Sequence, residues 1–324
     1  MTERSARAYW TVARERGEIR DEALPVPGPE QALVETLHTA ISRGTELLVH
    51  RGRVPESEHA RMRAPHQAGA FPWPVKYGYC NVGRVLQGGG ALLGREVFCL
   101  YPHQTAYVVD SSWLHALPDG VPAARAVLAA NMETALNGVW DAQIKAGDRV
   151  AVVGAGVVGA LVAYLAARHP GCEVELVDVD AGKQAIASAL GADFAAPDRA
   201  AGSADVVVHA SGTSEGLQTA LRLAGPEATV LELSWHGDAR PALPLGQAFH
   251  ALRLTLRSSQ VGALPPSQRP RWDHRRRLAA ALRLLADERL DQLIDAAEPF
   301  VRLPEVMHEL SNGTRRALCQ RIDY

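Results

Sequence analysis

Three glycines and one aspartate carry the clearest chemistry in this chain. Gly154, Gly156 and Gly159 stand in G-x-G-x-x-G spacing, and Asp178 follows nineteen positions after the last of them (178 − 159). Each has a separate task in holding a dinucleotide. The first glycine permits a tight turn, the second lets the backbone approach a pyrophosphate, and the third lets a helix pack closely on a strand. Val157 and Val158 open that helix, whose first N–H groups are unpaired and suited to phosphate oxygens. A carboxylate at Asp178 would take the ribose hydroxyls of NAD and repel the extra phosphate of NADP.

The surrounding elements agree with this reading. Residues 149–153 form an apolar, β-branched run too short for a helix, 157–169 are helical, and 174–177 read as a second strand. Strand–helix alternation continues with a helix over 182–190, a strand over 205–210 and a helix over 216–223. Strands over 229–233 and 252–256 follow. Such alternation predicts a parallel, doubly wound sheet with helices on both faces. Before it, 122–142 is alanine-rich and helical. Residues 1 to about 120 hold short β-type runs at 7–13, 32–40, 80–86, 96–100 and 106–109, punctuated by proline and glycine. A long surface loop is expected over 56–74. Helices are expected over 274–286 and 304–310, before a last apolar pair at Ala317 and Leu318. This tail has too little apolar surface to stand alone and is expected to return to the first domain.

Bulk properties narrow the function classes. With 324 residues the chain has room for two domains, and 47% hydrophobic with 22% charged residues is ordinary globular composition. A net charge of −2 gives no reason to expect nucleic acid or an anionic membrane as partner. The basic run 269–277 reads as a solvated loop leading into a helix, or as an arginine rim for an anionic substrate. Cys80, Cys99, Cys172 and Cys319 show no C-x-x-C pair and read as isolated thiols of a cytoplasmic protein. The first ten residues lack the apolar core of a secretory signal. No stretch has the uncharged length of a membrane span.

A β-rich front, an inserted dinucleotide fold and a returning tail resemble the medium-chain dehydrogenase/reductase superfamily. The resemblance spans essentially the whole chain. Besides the glycine motif it rests on residues 40–46 (AISRGTE), on 77–83 (YGYCNVG), and on Asp178 followed by Lys183. It implies an α/β architecture: a GroES-like β-rich catalytic domain over 1–124, an NAD-binding Rossmann domain over 125–262, and a segment over 263–324 that rejoins the catalytic domain. Substrate and nicotinamide would meet in the cleft between them. Within the superfamily, the ISRGTE segment and the tyrosine at 79 are similar to the bacteriochlorophyllide a dehydrogenases, which oxidise a secondary alcohol on a large ring with NAD.

Departures from the family pattern bear on mechanism. Zinc-dependent members carry cysteine where this chain has Ser42–Arg43, and Gly-His-Glu where it has Gly78-Tyr79-Cys80. Their third ligand falls near 129–131, where nothing here binds zinc. Cys80 alone falls short of the three protein ligands of a catalytic zinc. The four-cysteine structural zinc loop is missing too. The expectation is therefore NAD(H) as cofactor, no zinc, and no metal ligand set.

Hydride transfer without zinc needs another group against the reacting oxygen. The resemblance offers Tyr79 in a lost ligand position, Thr45 at the hydroxyl relay position, and Glu46 as a supporting carboxylate that would orient Arg43 or Tyr79. Arg43 is a fixed cation for an oxyanion, Glu133 a further base, and His103 a proton shuttle. Tyr101 is expected to line the substrate pocket with His236, and Trp73 to cap it. On the cofactor side, Ser211 and Gly212 should run past the nicotinamide ribose, and Ser234 and Trp235 should hold the carboxamide. Lys183 should reach the adenosine ribose, and Arg316 the pyrophosphate. A homodimer through 252–256 is expected. Two other readings stay open: an NADPH-dependent enoyl or quinone reductase of the zinc-free branch, and a non-catalytic NAD-binding protein.

Overall fold

The computed structural model describes residues 4–324, and the chain divides into two compact units. One is Asn131–Ala281; the other joins the residues up to Ala130 with Leu282–Tyr324.

The second unit is built on six strands: β1 (Arg149–Val153), β2 (Glu173–Val177), β3 (Asp193–Ala195), β4 (Ala204–His209), β5 (Ala224–Glu232) and β6 (Thr255–Ser258). All pair in parallel, in the spatial order β3-β2-β1-β4-β5-β6. That order reverses direction at β1/β4, the crevice where doubly wound folds bind dinucleotides. Helices on both faces cover the central strands, so these read as unbroken apolar runs rather than alternating ones. Val153, Val177, Val207 and Val230 pack with Leu217 and Leu221 of the helix Ser214–Leu223. Each such side chain, fully buried, contributes about 1.5–3 kcal/mol. The helix Val157–Ala166 is buried over its whole length from Gly159 onward, and it ends three residues earlier than its composition suggests. The last strand lies at 255–258 rather than 252–256. Leu252 closes the short helix Ala248–Ala251, and Arg253 takes a left-handed turn (φ 55°) that breaks the extended run.

In the first unit, Gln31–Ile41 is the organising strand. It pairs antiparallel with Asn81–Gly88, with Ala106–Asp110 and with the C-terminal strand Gln320–Asp323. The tail is thus stitched in by backbone hydrogen bonds, His38 lying opposite Asp323. Its helix Leu303–Asn312 adds Leu303, Val306 and Met307 to a core containing Tyr9, Ile41 and Ile322. Three elements have weak signatures in sequence. Arg16–Leu24 is a charged hairpin strand paired with Arg4–Ala13, Gln320–Asp323 is polar, and Arg43–His50 is a two-turn helix. The second unit runs to Ala281 rather than 262, and so includes most of helix His274–Leu284. The reason is packing, because buried Arg277 bonds Glu133, Asn137 and the Val261 carbonyl. Among the described residues no helix is long and apolar enough to cross a membrane.

Candidate functional site

In the second unit the glycine loop leaves β1, and the three glycines are required for three different reasons. Gly154 holds φ 107°, and a Cβ there would lie 2.6 Å from the Ser211 nitrogen. At Gly159 a Cβ would collide with the Gly154 carbonyl oxygen. Gly156 has nothing within 4 Å of its missing Cβ, so its backbone faces open space. It is also the N-cap of Val157–Ala166, and no side chain caps that helix. The N–H groups of Val157 and Val158 therefore remain available to an anion. Asp178, just past β2, accepts hydrogen bonds from Ala155 N (2.7 Å) and Asp180 N (2.9 Å). Its carboxylate is thereby fixed beside the loop. Lys183 sits one short turn further on, in Ala181–Lys183.

The ends of β4 and β5 continue this site. Gly212 N donates to Ser234 Oγ (3.0 Å), which ties the two strand ends together. Ser211 Oγ lies 2.6 Å from His209 Nε2, and His209 Nδ1 lies 2.7 Å from Glu232 Oε2. Trp235 and His236 are partly exposed in the loop that follows. The sequence reading named Ser211, Gly212, Ser234, Trp235 and His236 but missed His209 and Glu232. Their only signal is a polar residue closing each of two apolar strands.

The first unit assembles a buried polar chain from distant segments. Glu46, in helix Arg43–His50, accepts from Ser42 N (2.8 Å) and pairs with His103 Nε2 (2.8 Å). His103 Nδ1 meets Thr39 Oγ1 at 2.7 Å, and that hydroxyl meets the Tyr324 hydroxyl at 3.2 Å. With Nε2 donating to the Glu46 carboxylate and Nδ1 accepting from the Thr39 hydroxyl, every link is satisfied. Gly78 makes room for this ring, since a Cβ there would lie 2.9 Å from it. Next in sequence, Tyr79 stands edge-on to Tyr77. Burial pushes its phenol well above the ordinary value, helped by Tyr77, Cys80 and Glu46, while a hydrogen bond to Ser42 pulls the other way. Tyr79 is therefore protonated at neutral pH and able to donate. Thr45 lies in the first turn of the same helix as Glu46, partly exposed.

Several expected roles change on inspection. Glu46 orients His103 rather than Arg43 or Tyr79. Arg43 is exposed and its guanidinium bonds the Ala317 carbonyl, which anchors the tail instead of an oxyanion. Glu133 is held by Arg277 at 3.0 Å inside the second unit, so it is not a free base; burial pushes its carboxyl up while Arg277 pulls it down. Arg277 is itself 2% exposed, so the basic run is not wholly a solvated loop. His103 is buried. Tyr101 stacks on Tyr107 (3.8 Å between ring centres) and on His66. Trp73 packs so closely on Gly52 that a Cβ there would strike its ring. Arg316 is exposed between Leu303–Asn312 and Gln320–Asp323.

The donors around Tyr79 do not suit a catalytic zinc. Cys80 is buried, and burial with neighbouring Glu46 and Cys319 pushes its thiol well up; it is one donor where a catalytic zinc needs three protein ligands. Glu46 is already engaged by His103 and Ser42. Among the described residues, the single convergent group of three His, Cys, Asp or Glu donors is His209, Glu232 and His236 in the other unit.

Comparison with known proteins agrees with this architecture. Residues 149–208 match the family model of the 3-hydroxyacyl-CoA dehydrogenase NAD binding domain. The chain is 27% identical over 297 residues to D-guloside 3-dehydrogenase of Escherichia coli K12, covering 82% of this chain and 85% of that protein. Over 157 residues it is 29% identical to 2-dehydro-3-deoxy-L-galactonate 5-dehydrogenase of Pseudoalteromonas atlantica, covering 45% and 46% of the two chains. Among solved structures, L-idonate 5-dehydrogenase of E. coli superposes with a TM-score of 0.80 at 14% identity, covering 100% of this chain and 99% of that one. The 2R,3R-butanediol dehydrogenase of Bacillus subtilis gives 0.77 at 16%, covering 98% and 99%. Fold and glycine loop thus define a dinucleotide-binding α/β protein with a β-rich companion unit. The chain shares its fold over nearly its whole length with these alcohol and polyol dehydrogenases.

Proposed function

We propose that this protein is an NAD-dependent alcohol dehydrogenase or ketoreductase that moves a hydride between a secondary alcohol carbon and the nicotinamide without zinc. NAD supplies the hydride acceptor; the chain's own residues bind it and manage the proton. The reading rests on one observation above all: Asp178 is fixed by two backbone N–H donors beside the open backbone of Gly156. A carboxylate there favours a ribose bearing free hydroxyls over one bearing a phosphate.

On the substrate side, Tyr79 is the donor. Its phenol, kept neutral by burial, hydrogen-bonds the carbonyl oxygen as negative charge develops there during reduction. Ser42 and Thr45 supply hydroxyls beside it. The Glu46–His103–Thr39–Tyr324 chain fixes the helix that carries them. An enoyl or quinone reductase using NADPH would be poorly served by Asp178, and a chain that merely binds NAD has no use for a desolvated phenol. Because the named relatives act on sugar derivatives, sugar-derived secondary alcohols head the substrate panel. We place the protein in a reducing compartment, which suits its four free thiols. We also infer a homodimer through the exposed edge strand β6; a monomer mass by light scattering would remove it.

The test follows NADH absorbance with a panel of secondary alcohols and ketones, comparing the wild type with Tyr79→Phe. Turnover should fall by roughly 10²–10⁴-fold while NADH still binds. Unchanged turnover would take Tyr79 out of the mechanism.

A further inference from the structure

Three side chains at the carboxyl ends of β4 and β5 point their donor atoms at one spot. His209 ends β4, Glu232 ends β5 directly opposite it in the sheet register, and His236 follows four residues later in the loop. Nδ1 of His209 lies 2.7 Å, and Nε2 of His236 3.2 Å, from the same carboxylate oxygen, Glu232 Oε2. All three donor atoms lie within 4.8 Å of one another.

The atoms on the far side of this group are already engaged. His209 Nε2 is held by Ser211 Oγ at 2.6 Å, and Glu232 Oε1 accepts from Ser234 N at 2.7 Å. Outer hydrogen bonds of this kind fix ring orientation and leave the inner nitrogen free to coordinate. His209 is fully buried, whereas Glu232 and His236 keep 14% and 15% side-chain exposure, enough for an ion to enter.

We propose that His209, Glu232 and His236 bind one divalent transition-metal ion, zinc or an ion of like preference, with a fourth position open to a ligand oxygen. Two imidazoles and one carboxylate form a zinc donor set, and three protein ligands leave the fourth site vacant. Tetrahedral donors about 2.1 Å from zinc stand about 3.4 Å apart, so the two measured separations need widen by less than about 1 Å. With an ion on its inner nitrogen each ring carries its proton on the outer one, and His209 Nε2 then donates to Ser211 Oγ. This site lies in the second unit and is distinct from the zinc position of the superfamily, whose donors are missing here. It does not depend on the hydride-transfer reading.

The test uses the full chain, stripped with chelator and dialysed against micromolar ZnCl₂ or CoCl₂. Metal content and the visible spectrum of the cobalt form are compared for wild type, His236→Ala, Glu232→Gln and Cys80→Ser, with circular dichroism confirming the fold of each. Wild type and Cys80→Ser should each hold one equivalent, with the intense cobalt bands of a four- or five-coordinate site. His236→Ala and Glu232→Gln should hold less than a tenth of that. Ser211→Ala should weaken binding by roughly 10–100-fold through loss of the outer hydrogen bond. No stoichiometric binding, retention by His236→Ala, or loss in Cys80→Ser would each overturn the assignment.

Discussion

The two units solve the same problem, that of placing polar groups inside an apolar fold, in opposite ways. In the second unit the chemistry is local. One strand, one turn and one helix bring Gly154, Gly156, Gly159 and Asp178 together within 25 residues (154 to 178). In the first unit the polar chain draws on Thr39, Glu46, His103 and Tyr324, which only the completed sheet makes neighbours. Local sites rest on backbone conformation and tolerate little change in it. Dispersed sites rest on burial, and are tuned by how far water is kept out.

The glycine loop offers the largest test of that contrast. Gly159→Ala drives a methyl group into the Gly154 carbonyl and should cost about 3 kcal/mol while abolishing NADH binding. Gly156→Ala meets no atom, so it should leave the melting temperature within a degree or two yet weaken NADH at least about tenfold, because the methyl occupies the space the pyrophosphate needs. Equal effects of the two would mean that the open space at Gly156 is not a binding surface.

The dispersed unit should respond to pH instead. His50 meets the Tyr9 hydroxyl at 3.2 Å, and its Nε2 has no partner. Burial holds it down at about 4, against an ordinary value near ~6.5. The unfolded chain therefore takes up this proton first as the solution is acidified. Stability is fully present above about 6.5 and falls by roughly 3 kcal/mol as pH drops toward 4. Thermal melts across that window should show the loss, and His50→Gln should flatten it. A melt independent of pH between 6.5 and 4 would contradict the buried, neutral imidazole.

A smaller effect separates the units directly. Glu46→Gln keeps the shape of the buried pair but removes its charge, and should cost about 2 kcal/mol. NADH affinity, which belongs to the other unit, should stay within about twofold of wild type. Loss of NADH binding would show that the two units do not act independently.

These differences also explain what could be read from the chain. Apart from the short strand Asp193–Ala195, which no run of apolar residues marks, the order of strands and helices from 149 to 232 and the tight packing at Gly154 and Gly159 follow from short-range periodicity and spacing. Strands Arg16–Leu24 and Gln320–Asp323 escape because their alternation is written in charged side chains, and pairing alone makes them strands. The partners of Glu46, Glu133 and Arg43 were misjudged for a related reason. Each acidic or basic group meets a residue 57, 144 or 274 positions away, and no local pattern encodes such meetings. His209 and Glu232 were hidden in the same way: they face each other only because β4 and β5 are adjacent.

The most direct measurement is a tryptophan-fluorescence titration of the chelator-treated protein with NADH and with NADPH. The account expects saturable NADH binding, with NADPH at least about tenfold weaker because its phosphate meets the Asp178 carboxylate. Equal or tighter binding of NADPH would contradict it.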